Sequence, residues 1–315
     1  MAKIIEVTDL TKRYKKATTN AVDGVSFEVE EGEFFTMLGP NGAGKTTTIS
    51  VLNTTLDKTS GSVKVGGIEI EKDSAGVRRM IGVIFQNPSL DLNLTAEENV
   101  RFHAFLYGLF PYRLTYNMMP TDYKKKVEEL ARILGIEKEI HQPVKTFSGG
   151  MKRKLEIVRG LIHHPKLLFL DEPTTGLDPQ SRKNLWSYLK TVRKNENLTL
   201  FLTTHYLEEA EESDRICIID NGKIVSLGTP LDIKRDLVEE YMLLDSGNRK
   251  ALTKELDNSK LKYVEDGAIK VWIKESQIQE TIRNLKTKLT SIQIHTPTLE
   301  EAYLEIIDKK NEKNN

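Results

Sequence analysis

The chain has 315 residues, enough for one large and one small domain, and burial at that size suffices without disulfide staples. Its 46 basic and 46 acidic residues cancel, so the basic excess that marks nucleic-acid binding is missing and nucleic acid is not expected as a partner. A single cysteine, Cys217, predicts a reducing compartment, and no run of about 18 apolar residues is present to span a bilayer.

"MAKIIEVTDLTKRY" alternates like a strand and has no apolar signal core, which predicts a cytoplasmic protein without a secretory leader. "IIEVTDLTKRY" and "AVDGVSFEVEEGE" read as antiparallel strands joined by a polar turn, a small β layer beside the core. The strand-like "EFFTMLG", "MIGVIFQ", "KLLFLDEP" and "LTLFLTTH" alternate with helical stretches up to about Gly228, the order of an α/β body with a largely parallel sheet. Between about Thr95 and Phe147, "TAEENVRFHAFLYGL" and "TDYKKKVEELARILGI" carry helical periodicity, which predicts a helical subdomain over about residues 95–160. The intervening "FPYRLTYNMMP", Phe110 to Pro120, has two open readings: a loop packed on its own domain, or an adaptable apolar contact surface. Cys217 lies in the apolar strand "RICIID" and reads as core.

The first domain is expected over 1–237 and a small α+β domain, regulatory or dimerising, over 238–308. The latter reads strand, helix, two hairpin-like strands, helix, strand, helix, an order that suggests a ferredoxin-like unit. The tail 309–315, "KKNEKNN", is expected to be disordered.

"GPNGAGKT" spans Gly39, Pro40, Asn41, Gly42, Ala43, Gly44, Lys45 and Thr46, follows a strand and opens a helix that continues with Thr47. That context is what a phosphate-binding loop needs: backbone N–H groups cradle phosphates, Lys45 reaches the outer ones, and the Thr46 hydroxyl can coordinate Mg²⁺. "KLLFLDEP" ends in two carboxylates at the sheet edge where nucleotides bind. Adjacent residues on a strand face opposite ways, so Asp171 is expected to hold Mg²⁺ and Glu172 to polarise the water that attacks the γ-phosphate. His205 follows another buried strand and Gln86 a third, from which they can reach the γ-phosphate and the metal with its attacking water. Tyr14, in "LTKRYKKA", is expected to stack on adenine. In "FSGGMKRKLEIVRG", Ser148, Gly149 and Gly150 open a helix whose N-terminus favours an anion, although the chain already holds a complete phosphate loop.

The order of these motifs over roughly residues 3–230 resembles the ATP-binding subunit of ABC transporters. "GPNGAGKT" looks like the Walker A, Gln86 the Q-loop, "FSGGM" the signature, "LLFLDE" the Walker B, "GLDP" the D-loop and His205 the switch histidine. Phe147 and Met151 depart from the usual LSGGQ; with "SLDLNLT", "DEPTTGLDPQSR" and "TPTLEEAYLEI" they are similar to the drug-resistance exporter subfamily typified by daunorubicin transporter ATPases. The resemblance implies a P-loop NTPase of ABC type, with parallel-sheet core, antiparallel β layer and helical insert, that binds and hydrolyses Mg·ATP. It implies a head-to-tail dimer with a second copy or a related ATP-binding subunit, in which Ser148 and Gly150 serve the partner's γ-phosphate and Asp178 sits at the interface. It further implies ABC-2 type membrane subunits that carry the protein to the cytoplasmic face of the membrane. A soluble ABC-type regulatory ATPase not coupled to transport is the alternative.

Overall fold

The computed structural model describes residues 2–85, 90–111, 113–237, 241–295 and 298–305. The chain divides into two compact units, Met1–Leu227 and Gly228–Asn315.

In the first unit, β1 (Lys3–Lys12) and β2 (Val22–Glu30) pair antiparallel. On β2, Val25, Phe27 and Val29 are buried while Ser26 and Glu28 are exposed, the period of two expected of a sheet with one covered face. β3 (Phe34–Leu38) is buried at every residue and leads into α1 (Lys45–Leu52). β4 (Ser60–Val65) and β5 (Ile68–Glu69) then extend the antiparallel layer to four strands in the order β2-β1-β4-β5. The sequence reading named only the first two, because β4 opens on the exposed, turn-like Ser60-Gly61-Ser62.

α2 (Ser74–Met80) starts at Asp73, whose carboxylate accepts from the Gly76 N–H, and runs into β6 (Ile81–Ile84). The helical insert follows. α3 (Ala96–Leu106) begins with a capping box between Thr95 and Glu98, α4 (Thr121–Leu134) ends on Gly135 at φ 65°, and α5 (Gly149–Leu161) is capped by Ser148. Then come β7 (Leu167–Asp171), α6 (Pro179–Glu196), β8 (Thr199–Thr204), α7 (Leu207–Ala210), β9 (Arg215–Asp220) and β10 (Lys223–Gly228). The six-stranded core sheet has the order β10-β9-β3-β8-β7-β6. Its β9–β3, β3–β8, β8–β7 and β7–β6 pairs are all parallel. Parallel pairing sends the C-terminal ends of β3, β6, β7 and β8 to one edge, so the loops after them converge.

Two apolar clusters hold this unit. One lies between the core sheet and the antiparallel layer, where the Phe35 ring stands 5.5 Å from Phe27 and 5.3 Å from Phe201. Cys217 is fully buried there and its thiol is pushed up to about 12 by burial, as its core reading expects. The other joins the insert to the sheet through Tyr123, Val127, Leu130, Leu155 and Leu168. In the Phe110–Pro120 segment Met119 is buried and Phe110 and Tyr116 pack on the second cluster, as the first reading expects, whereas Leu114 and Met118 are exposed.

The second unit begins with α8 (Pro230–Leu237), so the division expected after residue 237 falls at the other end of this helix. β11 (Tyr241–Ser246), α9 (Arg249–Asn258), β12 (Tyr263–Asp266), β13 (Ala268–Trp272), α10 (Glu275–Asn284) and β14 (Leu289–His295) follow. The sheet order β12-β13-β11-β14 with antiparallel pairs is the βαββαβ ferredoxin-like arrangement. Met242, Leu244, Ile269 and Val271 bury one sheet face with Leu252 and Leu256 of α9. Of the motif 296–306, residues 299–305 are helical, with Leu299 and Ala302 buried. The tail 309–315 lies outside the described residues.

Candidate active site

The loop between β3 and α1 is shaped by glycine. Gly42 and Gly44 stand at φ 82° and 108°, conformations that side chains rarely adopt. A Cβ on Gly39 would fall 2.2 Å from the Ile219 carbonyl oxygen, and one on Gly44 2.5 Å from that of Ala21. Within this loop Lys45 is buried, and its Nζ donates to the carbonyls of Gly39 at 2.8 Å and Pro40 at 3.1 Å. Burial draws the Lys45 pKa below its usual value, while Glu172 and then Asp171 oppose the shift.

Asp171 ends β7 and is buried. The Thr46 hydroxyl donates to its Oδ1 at 3.4 Å, and Thr203 of β8 donates to the same oxygen. Burial lifts the Asp171 carboxyl above the usual carboxylate range, with the Thr203 and Thr46 hydrogen bonds acting against it. Glu172 lies beyond the strand, 8 % exposed, at φ 47°. A left-handed non-glycine residue costs on the order of 1–3 kcal/mol and persists only where its surroundings hold it. Here the Glu172 N–H donates to Thr203 O at 3.0 Å, and the His205 Nδ1 lies 3.2 Å from Glu172 Oε1. Strand alternation, the basis on which the two acids were expected to diverge, does not apply to Glu172; the break in the backbone separates them.

The structure therefore brings Lys45, Thr46, Asp171, Glu172 and His205 together. Tyr14 is exposed at 46 %, its hydroxyl 3.2 Å from Thr47 Oγ1. It lines a cavity of about 650 Å³ with Arg13, Asn20, Gly42, Asn221 and Gly222. Gln86 lies outside the described residues.

Ser148, Gly149 and Gly150 open a different helix. Ser148 Oγ accepts from the Met151 N–H at 3.2 Å, and a Cβ on Gly150 would stand 3.0 Å from the Gly176 carbonyl. Asp178 caps α6: its Oδ1 accepts from the Ser181 N–H at 2.9 Å, and Lys154 lies 3.4 Å from its Oδ2. The Ser181 hydroxyl donates to Oδ2 as well, and this bond, with that of the Ser181 N–H, holds the Asp178 carboxyl down at about 2.

Sequence reasoning missed three residues. Thr203 donates to Asp171 from the neighbouring strand. Glu209, buried, accepts from Thr174 on one oxygen and from Thr204 at 2.8 Å on the other. Arg153, buried on α5, donates to the backbone around Glu172. A signal for Arg153 existed: it lies four and eight residues before Ile157 and Leu161, which places a cation on the buried stripe of an amphipathic helix.

Residues 22–175 match the family model described as ABC transporter. The chain is 34% identical over 318 residues to the linearmycin resistance ATP-binding protein of Bacillus subtilis, covering 96% of this chain and 98% of that one. It is 40% identical over 231 residues to the doxorubicin resistance ATP-binding protein of Mycobacterium tuberculosis, covering 73% and 67%. Among solved structures it is similar to an ATP binding subunit of an ABC transporter, with a TM-score of 0.66 and 32% identity over 74% of this chain and 92% of that one. A post-hydrolysis dimer of an ATP-binding cassette with ADP and Pi gives a TM-score of 0.65 and 25% identity, over 71% and 98%.

Proposed function

Because this chain belongs to the ABC transporter family as an ATP-binding subunit with the ABC ATPase fold, we propose that it is the hydrolytic motor of an ABC-2 type exporter, working as a head-to-tail dimer. The observation that carries the reading is the convergence of Lys45, Thr46, Asp171, Glu172 and His205 on one sheet edge beside the glycine-shaped loop.

In this reading the backbone N–H groups of Gly39–Thr46 cradle the phosphates and Lys45 exchanges its loop carbonyls for the outer phosphate oxygens. The Thr46 hydroxyl and the Asp171 carboxylate are hard oxygen donors already aimed at each other, a set that suits Mg²⁺. When bound, Mg²⁺ would supply positive charge to the β- and γ-phosphate oxygens. Gln86 joins that set and orients the attacking water. Glu172 accepts a proton from this water, and His205, beside its Oε1, steadies the carboxylate and contacts the γ-phosphate. Tyr14 stacks on adenine at the mouth of its cavity.

Ser148, Gly149 and Gly150 contact the γ-phosphate held by the second subunit, with Asp178 at the same interface. ATP then favours the closed dimer because its γ-phosphate bridges both subunits, and hydrolysis removes the bridge. Transport is assigned to separate membrane subunits; among the described residues no helix is long and apolar enough to cross a membrane. The exposed apolar side chains Phe102, Phe105, Leu106, Leu114 and Met118 of the insert are assigned to contact with those subunits on the cytoplasmic face.

Phosphate release and light scattering with Mg·ATP, for the wild type and Glu172→Gln, test this. Loss of the general base is expected to slow turnover by about a hundredfold or more while an ATP-bound dimer accumulates. A variant that turns over normally as a monomer refutes both assignments.

A further inference from the structure

Arg153 is 3 % exposed, and every N–H of its guanidinium is used. Nε donates to Pro173 O at 2.8 Å, and Nη2 donates to Asp171 O at 2.9 Å and Glu172 O at 2.8 Å. Nη1 donates to Phe85 O and lies 3.5 Å from Glu156 Oε2. Five donors in one plane is a property of arginine alone. The three consecutive carbonyls bracket Glu172 at its left-handed turn, and the fourth, that of Phe85, directly follows β6, one residue before Gln86 in the chain. Arg153 itself rides on α5, the helix that Ser148, Gly149 and Gly150 open.

We propose that Arg153 is a positioning residue of the hydrolytic site, tying the helix that begins at Ser148 to the peptide that carries Glu172. The inference rests on the reading of the site given above and adds a route through it: a shift of α5 on the partner's nucleotide moves four carbonyls at two strand ends. Glu172 is thereby brought into line, or released, according to whether the dimer is closed. A carboxylate that must meet a water within a few tenths of an ångström is sensitive to such a shift, since a displacement of about 1 Å can cost about a hundredfold in rate.

The test is steady-state ATPase kinetics on the full chain, beside equilibrium binding of ATP and thermal unfolding, for the wild type, Glu172→Gln, Arg153→Lys and Arg153→Gln. Lysine keeps the charge beside Glu156 but offers its donors from one nitrogen, which cannot span from Phe85 to Pro173. Arg153→Lys is expected to fold, to bind ATP within about threefold of wild type and to lose at least about tenfold in kcat at unchanged KM, with Arg153→Gln lower still. A kcat within about twofold of wild type in Arg153→Lys overturns the inference. So does a parallel fall of kcat, ATP affinity and unfolding temperature, and so do two variants that fail to fold, because each marks a residue needed only for structure. An inactive wild type, or a fully active Glu172→Gln, overturns the reading of the site and the inference together. An active wild type and a dead Glu172→Gln beside an unaffected Arg153→Lys overturn the inference alone.

Discussion

The Asp171 carboxylate gives a quantitative test of the site without any nucleotide. It is buried, its pKa is raised by that burial, and the hydroxyls of Thr203 and Thr46 oppose the shift. Thr203→Val keeps the β-branched shape that β8 favours and removes one donor. A hydrogen bond to a charged group contributes about 1.5–3 kcal/mol, so its removal raises the Asp171 pKa further. For an acid whose folded pKa exceeds its unfolded value, stability is highest below the unfolded pKa and is lost as pH rises towards the folded one. The deficit of the variant therefore develops as pH rises through the folded pKa and has disappeared near the unfolded aspartate value of about 3.9. Urea unfolding should show the variant weaker by about 1.5–3 kcal/mol at about pH 7.5 and by less than about 0.5 kcal/mol at about pH 4. Thr203→Ser should restore the wild-type profile. An equal deficit at both pH values would trace the loss to packing and refute the argument.

Two further outcomes concern the insert. Glu97 and Arg101 are both buried, with Arg101 Nε donating to the two Glu97 oxygens at 3.0 and 3.2 Å and the Tyr123 hydroxyl donating at 3.0 Å. Arg101→Met strands the carboxylate and should cost about 3–5 kcal/mol by calorimetry; a loss below about 1 kcal/mol would contradict it. His103, with its Nε2 buried and unpartnered, faces Tyr107, Arg159 and His163, and burial followed by the charge of Arg159 draws its pKa down to about 3. Burial lowers His163 as well. For a base depressed in the fold, stability is present above the unfolded pKa of about 6.5 and is lost as pH falls towards the folded value. Unfolding at about pH 7.5 and about pH 5 should show a loss of about 2 kcal/mol that His103→Phe reduces, and an unchanged acid loss in that variant would assign the sensitivity elsewhere.

Much of the body was legible because its signals are local. "GPNGAGKT" carries its own turn chemistry, and β3, β7, β8 and β9 are short runs with apolar centres. The capping residues Thr95, Ser148 and Asp178 mark three helix starts in the sequence. β4 and α2 were not visible, since Ser60-Gly61-Ser62 and the small-residue opening of α2 read as turn. Thr203 and Glu209 escaped for another reason. Neither has a motif, and their value comes from the order in which β7 and β8 pair, which no periodicity reports.

The division of labour between the two adjacent acids shows how far local reasoning carries. Alternation along a strand anticipated that Asp171 and Glu172 would face different partners, and they do, yet β7 ends at Asp171 and the divergence comes from a left-handed turn. Such a turn is unfavourable for glutamate, and doubly so before Pro173, so it stands only because its neighbours fix it. Arg153 holds the carbonyls on both sides, Thr203 O receives the Glu172 N–H, and Glu209 binds Thr174 and Thr204 at once. The last link matters most for the pair that faces the nucleotide in the proposed mechanism. Through Glu209 the segment that follows Glu172 and the segment that precedes His205 share one buried carboxylate. The 3.2 Å approach of His205 to Glu172 is therefore set by a frame that neither residue belongs to.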